Sequence, residues 1–204
     1  MLKIWGRETS TNVQKVLWTC EELGLPYERI DLGGQFGGLD TPQYRSLNPN
    51  GRIPTIEDGD FVLWESHAII RYLAAGDPQR RLLPASLTRR EQANIDRWMD
   101  WCMVALGLGL RDLFKLVGSG EAGLTRAGSE ASVAQLFAIL DRHLQHSRHV
   151  GGDEFTLADI PPGISAHRWL NLPVERPALP ALQRWYAGLR GRGAFQRILA
   201  IPMR

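Results

Sequence analysis

The chain has 204 residues, of which 44% are hydrophobic and 23% are charged, and its formal net charge is +2. These values are typical of a globular protein with one large domain or two small ones, and they exclude a disordered or fibrous chain. The two cysteines, Cys20 and Cys102, are too few for a disulfide scaffold, which favours a reducing compartment.

Strand and helix patterns alternate over the first eighty residues. The first helix pattern has apolar residues at helical spacing, as at Val13, Val16 and Leu17. The predicted order is strand, helix, strand, helix, strand, strand, helix, with the weakest pattern in the second helix. The predicted strands cover 2–5, 27–32, 53–57 and 61–64, and the first helix covers 13–23. The last helix of this part has Ser66 as its N-cap.

Beyond residue 80 the strand patterns stop and only helical patterns remain. They cover 89–117, 133–144, 179–189 and 194–199. Between them, Thr156 is placed as an N-cap with Asp159 three residues later, which is an acidic variant of the capping box. The sequence therefore predicts a mixed α/β domain over residues 1–80 and an all-helical domain over residues 86–204.

Membrane, nucleic-acid and metal partners are not expected. The longest uncharged apolar run, 101–110, is about half as long as a membrane span, and the N-terminus lacks the apolar segment of a secretory signal. The cations are scattered rather than gathered in a dense stripe. The histidines at 143, 146 and 149 would drift through about 240° around a helix instead of facing one ion. We expect a cytoplasmic protein.

Three segments carry a resemblance to a known family: N-P-N-G-R-I-P-T-I at 48–56, D-G-D-F-V-L-W-E-S-H-A-I-I-R-Y-L at 58–73, and E-F-T-L-A-D-I at 154–160. In this order and spacing the chain resembles the glutathione S-transferase superfamily, of the bacterial cytosolic type with theta, beta and nu members. The resemblance implies a thioredoxin-like α/β N-terminal domain that binds glutathione and an all-α C-terminal domain that binds the second substrate. It also implies that the peptide bond before Pro54 is cis.

The same resemblance implies which residues bind glutathione. The backbone N–H and C=O of Ile53, turned outward by the cis bond, pair with the cysteinyl backbone. Glu65 binds the γ-glutamyl ammonium, and Ser66, at a helix N-terminus, binds the γ-glutamyl carboxylate. The full implied set is Gln35, Phe36, Arg52, Ile53, Pro54, Glu65 and Ser66, the first three of which border the glycyl end of the peptide.

The loop E-T-S-T-N at 8–12 is the place where members of this superfamily carry the group that activates the thiol. Alignment on members with a catalytic Ser or Thr selects Ser10, whereas Asn12 lies where some nu-like members carry a functional Asn. Thr9 and Thr11 stay open as alternatives. A simple capping role for any of these four side chains is the remaining interpretation.

The resemblance implies an enzyme that conjugates the thiolate of glutathione to small hydrophobic electrophiles, in detoxification, with glutathione as co-substrate and no metal. It also implies a homodimer, with the helix around 97–101 facing the N-terminal domain of the partner. A glutathione-dependent disulfide reductase or peroxidase, which Asn12 would favour, and a non-catalytic interaction protein are the alternatives. Cys20 and Cys102 are expected in the core, and His67 on the solvent side of its helix.

Overall fold

The computed structural model describes residues 1–120 and 122–202. It divides into two compact units. The first contains Met1–Ala85 together with the last helix, and the second contains Ser86–Arg192. None of the helices in the described part of the chain is long and apolar enough to cross a membrane.

The first unit is built on a four-stranded mixed sheet with the strand order β2-β1-β3-β4. Strand β1 pairs in parallel with β2 and antiparallel with β3, and β3 forms an antiparallel hairpin with β4. This is the predicted thioredoxin-like order of elements. The elements are β1 (Leu2–Trp5), α1 (Thr11–Leu23), β2 (Tyr27–Ile30), a 3-10 turn (Gly34–Phe36), α2 (Pro42–Leu47), β3 (Thr55–Asp58), β4 (Phe61–Trp64) and α3 (Ser66–Gly76).

The core of this unit contains buried side chains from the central strands and from α1. Ile4 and Ile56 are paired across β1 and β3, and both are fully buried. Helix α1 packs against α3. It ends at Gly24, which adopts φ 58°, while the N–H of Leu25 donates to the C=O of Cys20 at 2.9 Å. This is the hydrogen bond of a Schellman motif, which requires a left-handed residue and therefore favours glycine.

Helix α9 (Gly193–Leu199) clusters with the first unit, although the sequence analysis had placed it in the helical domain 86–204. The reason is a contact with α1. The ring of Phe195 stacks on the ring of Trp18 with 4.1 Å between centroids, and both side chains are fully buried. Arg197 forms an ion pair with Glu21 beside them. The far end of the chain thus completes the core of the N-terminal unit.

In the second unit, the regular structure of the described residues is entirely helical. Helix α4 begins with a capping box, in which Thr88 Oγ1 accepts from the N–H of Glu91 at 3.3 Å. The elements are α4 (Arg89–Trp101), a π-helical segment (Cys102–Leu106), α5 (Gly107–Gly118), α6 (Leu124–Leu144), a 3-10 turn (Leu157–Asp159), α7 (Ile160–Leu170) and α8 (Pro180–Arg190).

Asp159 organises the core of the second unit. Its carboxylate is fully buried and accepts hydrogen bonds from the N–H of Thr156 at 3.0 Å, the N–H of Val150 at 2.9 Å and the indole N–H of Trp185 at 2.8 Å. Three donors compensate the cost of removing a carboxylate from water. The capping box predicted for Thr156 and Asp159 is confirmed.

Candidate functional site

Ser10 is the N-cap residue of α1, at the end of the loop that follows β1. Its N–H donates to the C=O of Arg7 at 3.1 Å, and its own C=O accepts from the N–H of Gln14 at 2.9 Å. Within the described residues, its side chain makes no capping hydrogen bond. The backbone of Ser10 therefore serves the helix, while the hydroxyl stays available at the positive end of the helix dipole.

Asn12 lies two residues further along, in the first turn of α1, and it is exposed. Its side-chain oxygen accepts a hydrogen bond from the ammonium of Lys15 at 3.0 Å. Lys15 is buried, and its Nζ also lies 3.1 Å from Nε2 of His67 in α3. The prediction that His67 faces solvent is wrong: the ring is 2% exposed because this side of α3 packs against α1.

The segment before β3 is clamped by a buried hydrogen-bond network. The peptide bond between Ile53 and Pro54 is cis, as the resemblance implies. Tyr44 Oη donates to the C=O of Arg52 at 2.7 Å, and Asn48 Nδ2 donates to the same oxygen at 2.8 Å and to Thr55 Oγ1 at 3.1 Å. Both sides of the cis bond are therefore fixed, which holds the backbone of Ile53 in place.

Gly6 brings the loop after β1 against Ile53. A side chain on Gly6 would place its Cβ 2.6 Å from Val13 Cγ2 and 3.1 Å from Ile53 Cβ, and the residue adopts φ 147°. Only glycine allows an approach this close at that backbone angle. The loop that leads to Ser10 is thus held against Ile53 at Gly6.

Glu65, between β4 and α3, has an unusual backbone conformation. Its φ is 72° and its ψ is 112°, and its C=O accepts the first turn's hydrogen bond from the N–H of Ile69 at 2.9 Å. A non-glycine residue in such a region costs about 1–3 kcal/mol and marks functional positions more often than other sites. Glu65 is the N-cap, and Ser66, 5% exposed, is the first helical residue rather than the predicted cap.

Gln35 and Phe36 lie on the exposed 3-10 turn after β2. They line a cavity of about 370 Å³, within the size range of small-ligand sites. The rest of its lining consists of Arg7, Glu8, Thr9, Arg29, Asp31 and Pro202. Arg52 is not part of this lining: its side chain is exposed, and its backbone C=O is held in the clamp before β3.

Known proteins resemble this chain along its whole length. The family model of the glutathione S-transferase N-terminal domain matches residues 9–75. Glutathione S-transferase GstB of Escherichia coli K12 is 40% identical over 209 residues, covering the whole of both chains. The chain belongs to the glutathione S-transferase superfamily. Glutathione S-transferase 3 of Zea mays is 31% identical, with 99% of this chain and 95% of the maize protein covered.

A solved structure extends the likeness to the fold. The theta class glutathione S-transferase from Xanthomonas axonopodis pv. citri, with glutathione bound, is 43% identical and superposes with a TM-score of 0.93. The superposition covers 100% of this chain and 99% of that one. The predicted fold class, a thioredoxin-like domain followed by an all-α domain, is confirmed.

The protein's own thiols are unsuited to the chemistry of this glutathione S-transferase. Neither Cys20 nor Cys102 forms a disulfide, and both are buried, as expected. Burial, with a smaller effect of Glu21, raises the pKa of the Cys20 thiol to about 12. A thiol with that pKa is not a nucleophile near neutrality, because the thiolate is the reactive form.

The sequence analysis missed three residues that support the site. Tyr44 and Asn48 hold the clamp before β3, and Lys15 holds Asn12. A signal existed for Asn48, which opens the Asn-Pro-Asn-Gly turn, and for Lys15, which is the one charged residue between Val13 and Cys20. In the described residues, no group of three or more His, Cys, Asp or Glu side chains is placed to hold a metal ion.

Proposed function

We propose that this glutathione S-transferase activates the thiol of glutathione with the hydroxyl of Ser10 and conjugates the sulfur to small hydrophobic electrophiles. The observation that carries the proposal is that the Ser10 hydroxyl, at the N-terminus of α1, makes no capping bond within the described residues. The loop that leads to Ser10 lies against Ile53 at Gly6. In the reaction the thiol loses its proton to water and the thiolate attacks an electrophilic carbon. A C–S bond forms while the leaving group departs with its electron pair.

The energetics of this activation are sufficient. A free thiol with a pKa of about 8.5 is only a few per cent thiolate near neutrality. Lowering the pKa by about two units takes roughly 2.7 kcal/mol. A hydrogen bond to a charged group contributes about 1.5–3 kcal/mol, and a helix N-terminus contributes up to about 2 kcal/mol. One hydroxyl at the start of α1 can therefore make the bound sulfur mostly thiolate.

The rest of the peptide is proposed to lie along the edge that the clamp before β3 supports. Ile53 pairs with the cysteinyl backbone, as an added strand would. Glu65 binds the γ-glutamyl ammonium, and Ser66 binds the γ-glutamyl carboxylate at the N-terminus of α3, where the helix dipole favours an anion. The strained φ of Glu65 supports this role because it fixes the direction in which the side chain leaves the backbone.

The glycyl end is proposed to lie near Gln35 and Phe36. Support comes from the cavity that both residues line together with Arg7 and Arg29. Arg52 is retained in the proposed set because its side chain is exposed two residues before Pro54. We propose that the second, helical unit binds the hydrophobic substrate. We also propose that the protein is located in the cytoplasm.

A homodimer is also proposed, with the helix around 97–101 facing the N-terminal domain of the partner. The support is a set of exposed aromatic side chains in the first unit. Phe61, Trp64 and Tyr72 are each more than a third exposed, and the rings of Phe61 and Tyr72 lie 5.1 Å apart. Exposed aromatic clusters are enriched in protein interfaces. Sedimentation at micromolar concentration should show a dimer, and a monomer alone would exclude this assembly.

The test of the function is a calorimetric titration with glutathione followed by two parallel assays. One assay uses an electrophilic aryl halide, and the other uses the mixed disulfide of hydroxyethanethiol and glutathione. Conjugation of the aryl halide without disulfide turnover is the expected result. Disulfide turnover alone would favour the reductase, and absence of glutathione binding would overturn the proposal.

A further inference from the structure

Lys15 is a buried cation shared between two helices. It lies in α1 with a side chain that is 5% exposed, and its ammonium reaches Asn12 Oδ1 at 3.0 Å and His67 Nε2 at 3.1 Å. Burying an ammonium is costly unless hydrogen-bond acceptors surround it. The position of Lys15 therefore depends on these contacts.

The chemistry of an ammonium group fixes the state of both neighbours. It has three donors and no acceptor, so each atom that it contacts must accept. For Asn12 the contacting atom is therefore the carbonyl oxygen, and the N–H₂ group must occupy the other branch of the amide. For His67 the contacting Nε2 is the acceptor in this arrangement, which requires the ring proton on Nδ1.

This cluster joins the two parts of the proposed glutathione site. Asn12 is two residues after Ser10, which we assign to the sulfur, and His67 directly follows Ser66, which we assign to the γ-glutamyl carboxylate. Asn12 is exposed while Lys15 is buried. With its oxygen directed inward at Lys15, Asn12 has its N–H₂ group on the other branch of an exposed amide, two residues after Ser10.

We propose that Lys15 is a positioning residue for thiol activation: it holds the Asn12 amide in the one orientation that offers N–H₂ to the glutathione sulfur beside the Ser10 hydroxyl. The proposal rests on the proposed function. A free amide can rotate by 180° and turn its oxygen towards the thiolate, which would repel it. His67 supports the arrangement by holding Lys15 from α3.

The test uses Lys15→Met, which keeps the length of the side chain and removes the ammonium. The matched control is Lys3→Met, which removes the same charge from an exposed position in β1 of the same unit. The readout is the pH dependence of thiolate absorbance in the glutathione complex, together with the affinity for glutathione. We expect Lys15→Met to raise the pKa of the bound thiol by about one unit and to slow conjugation near neutrality about tenfold. Lys3→Met should change neither.

A double-mutant cycle separates positioning from a general effect of charge. If Lys15 acts through Asn12, Lys15→Met should have no further effect on the thiol pKa in the Asn12→Ala background. A full effect in that background would overturn the proposal. So would an unchanged thiol pKa in a folded Lys15→Met that binds glutathione. A wild-type protein that does not bind glutathione, or does not lower its thiol pKa, would instead refute the proposed function.

A second measurement is independent of glutathione. Nitrogen-15 NMR of the free protein at neutral pH should show His67 as the neutral ring with the proton on Nδ1, and a doubly protonated ring would overturn the proposal. If Lys15→Met fails to fold, the pair His67→Leu and His67→Gln replaces it. The Gln side chain keeps an acceptor for Lys15, so the thiol pKa should shift less in His67→Gln than in His67→Leu. Equal shifts would contradict the proposed role of Lys15.

Discussion

Replacing Ser10 with alanine tests the role of its hydroxyl group in thiol activation. The hydroxyl would stabilise the thiolate but not the thiol, so its loss should raise the pKa of bound glutathione. A hydrogen bond to a charged group is worth about 1.5–3 kcal/mol, and one pKa unit corresponds to 1.36 kcal/mol. The expected rise is therefore about one to two units, with conjugation near neutrality slowed roughly ten- to hundredfold.

The structure adds a second expectation for Ser10→Ala. Because this side chain makes no capping bond to the described residues, the melting temperature should stay unchanged. Thr88→Ala is the matched control, since Thr88 does cap α4 through the N–H of Glu91. It should lose about 1 kcal/mol of stability and leave the thiol pKa alone. Ser10→Ala should therefore shift the thiolate absorbance and leave the melting temperature unchanged, whereas Thr88→Ala should lower the melting temperature and leave the thiolate absorbance unchanged.

The affinity for glutathione should change little in Ser10→Ala, because Ile53, Glu65 and Ser66 still hold the peptide. A thiol pKa that moves in Asn12→Ala and not in Ser10→Ala would refute the ranking of the two donors. If neither variant moves it, the reasoning fails for both side chains and a backbone N–H or water must activate the sulfur.

Four further substitutions test other parts of the structure. Glu65→Ala and Ser66→Ala should each weaken glutathione binding about ten- to more than hundredfold, measured by calorimetry, because each variant loses a charge-assisted contact. Unchanged affinity in both variants would mean that the site is misplaced. Asp159→Ala should lower the free energy of unfolding by about 3 kcal/mol or more in urea titrations, because three buried donors lose their acceptor. A loss below about 1 kcal/mol would contradict the role of Asp159 in organising the core. The Arg81 side chain, through its hydrogen bonds, lowers the pKa of Asp77 from 3.8 to about 2. That stabilisation is complete above about pH 5 and is lost as the pH falls through 2. Asp77→Asn should therefore be less stable than wild type at pH 6, and the difference in unfolding free energy should shrink steadily as the pH falls below about 4.

Local signals explain what could be predicted from the sequence. The hairpin before α3, the capping box at Asp159 and the turn at Asn48 each depend on residues within about ten positions of one another. The contact of Lys15 with His67 joins residues 52 positions apart, and the stack of Phe195 on Trp18 joins residues that are still more distant. Periodicity marks a residue as buried or exposed but does not identify its partner. His67 was predicted on the solvent side for this reason, because a histidine is expected to be exposed unless a buried hydrogen-bond partner is known.

The contact between α9 and α1 has a consequence for how the protein is made. The core of the first unit includes Phe195, so its sequence is interrupted by the entire second unit. On a ribosome that adds about 5–20 residues per second, Trp18 would wait roughly 5 to 20 seconds between the synthesis of Ala85 and that of Phe195. During that interval the indole face that Phe195 later covers is open to solvent or to a chaperone. The N-terminal unit therefore reaches its final packing only when translation is almost complete, after the unit that follows it in the sequence has been synthesised.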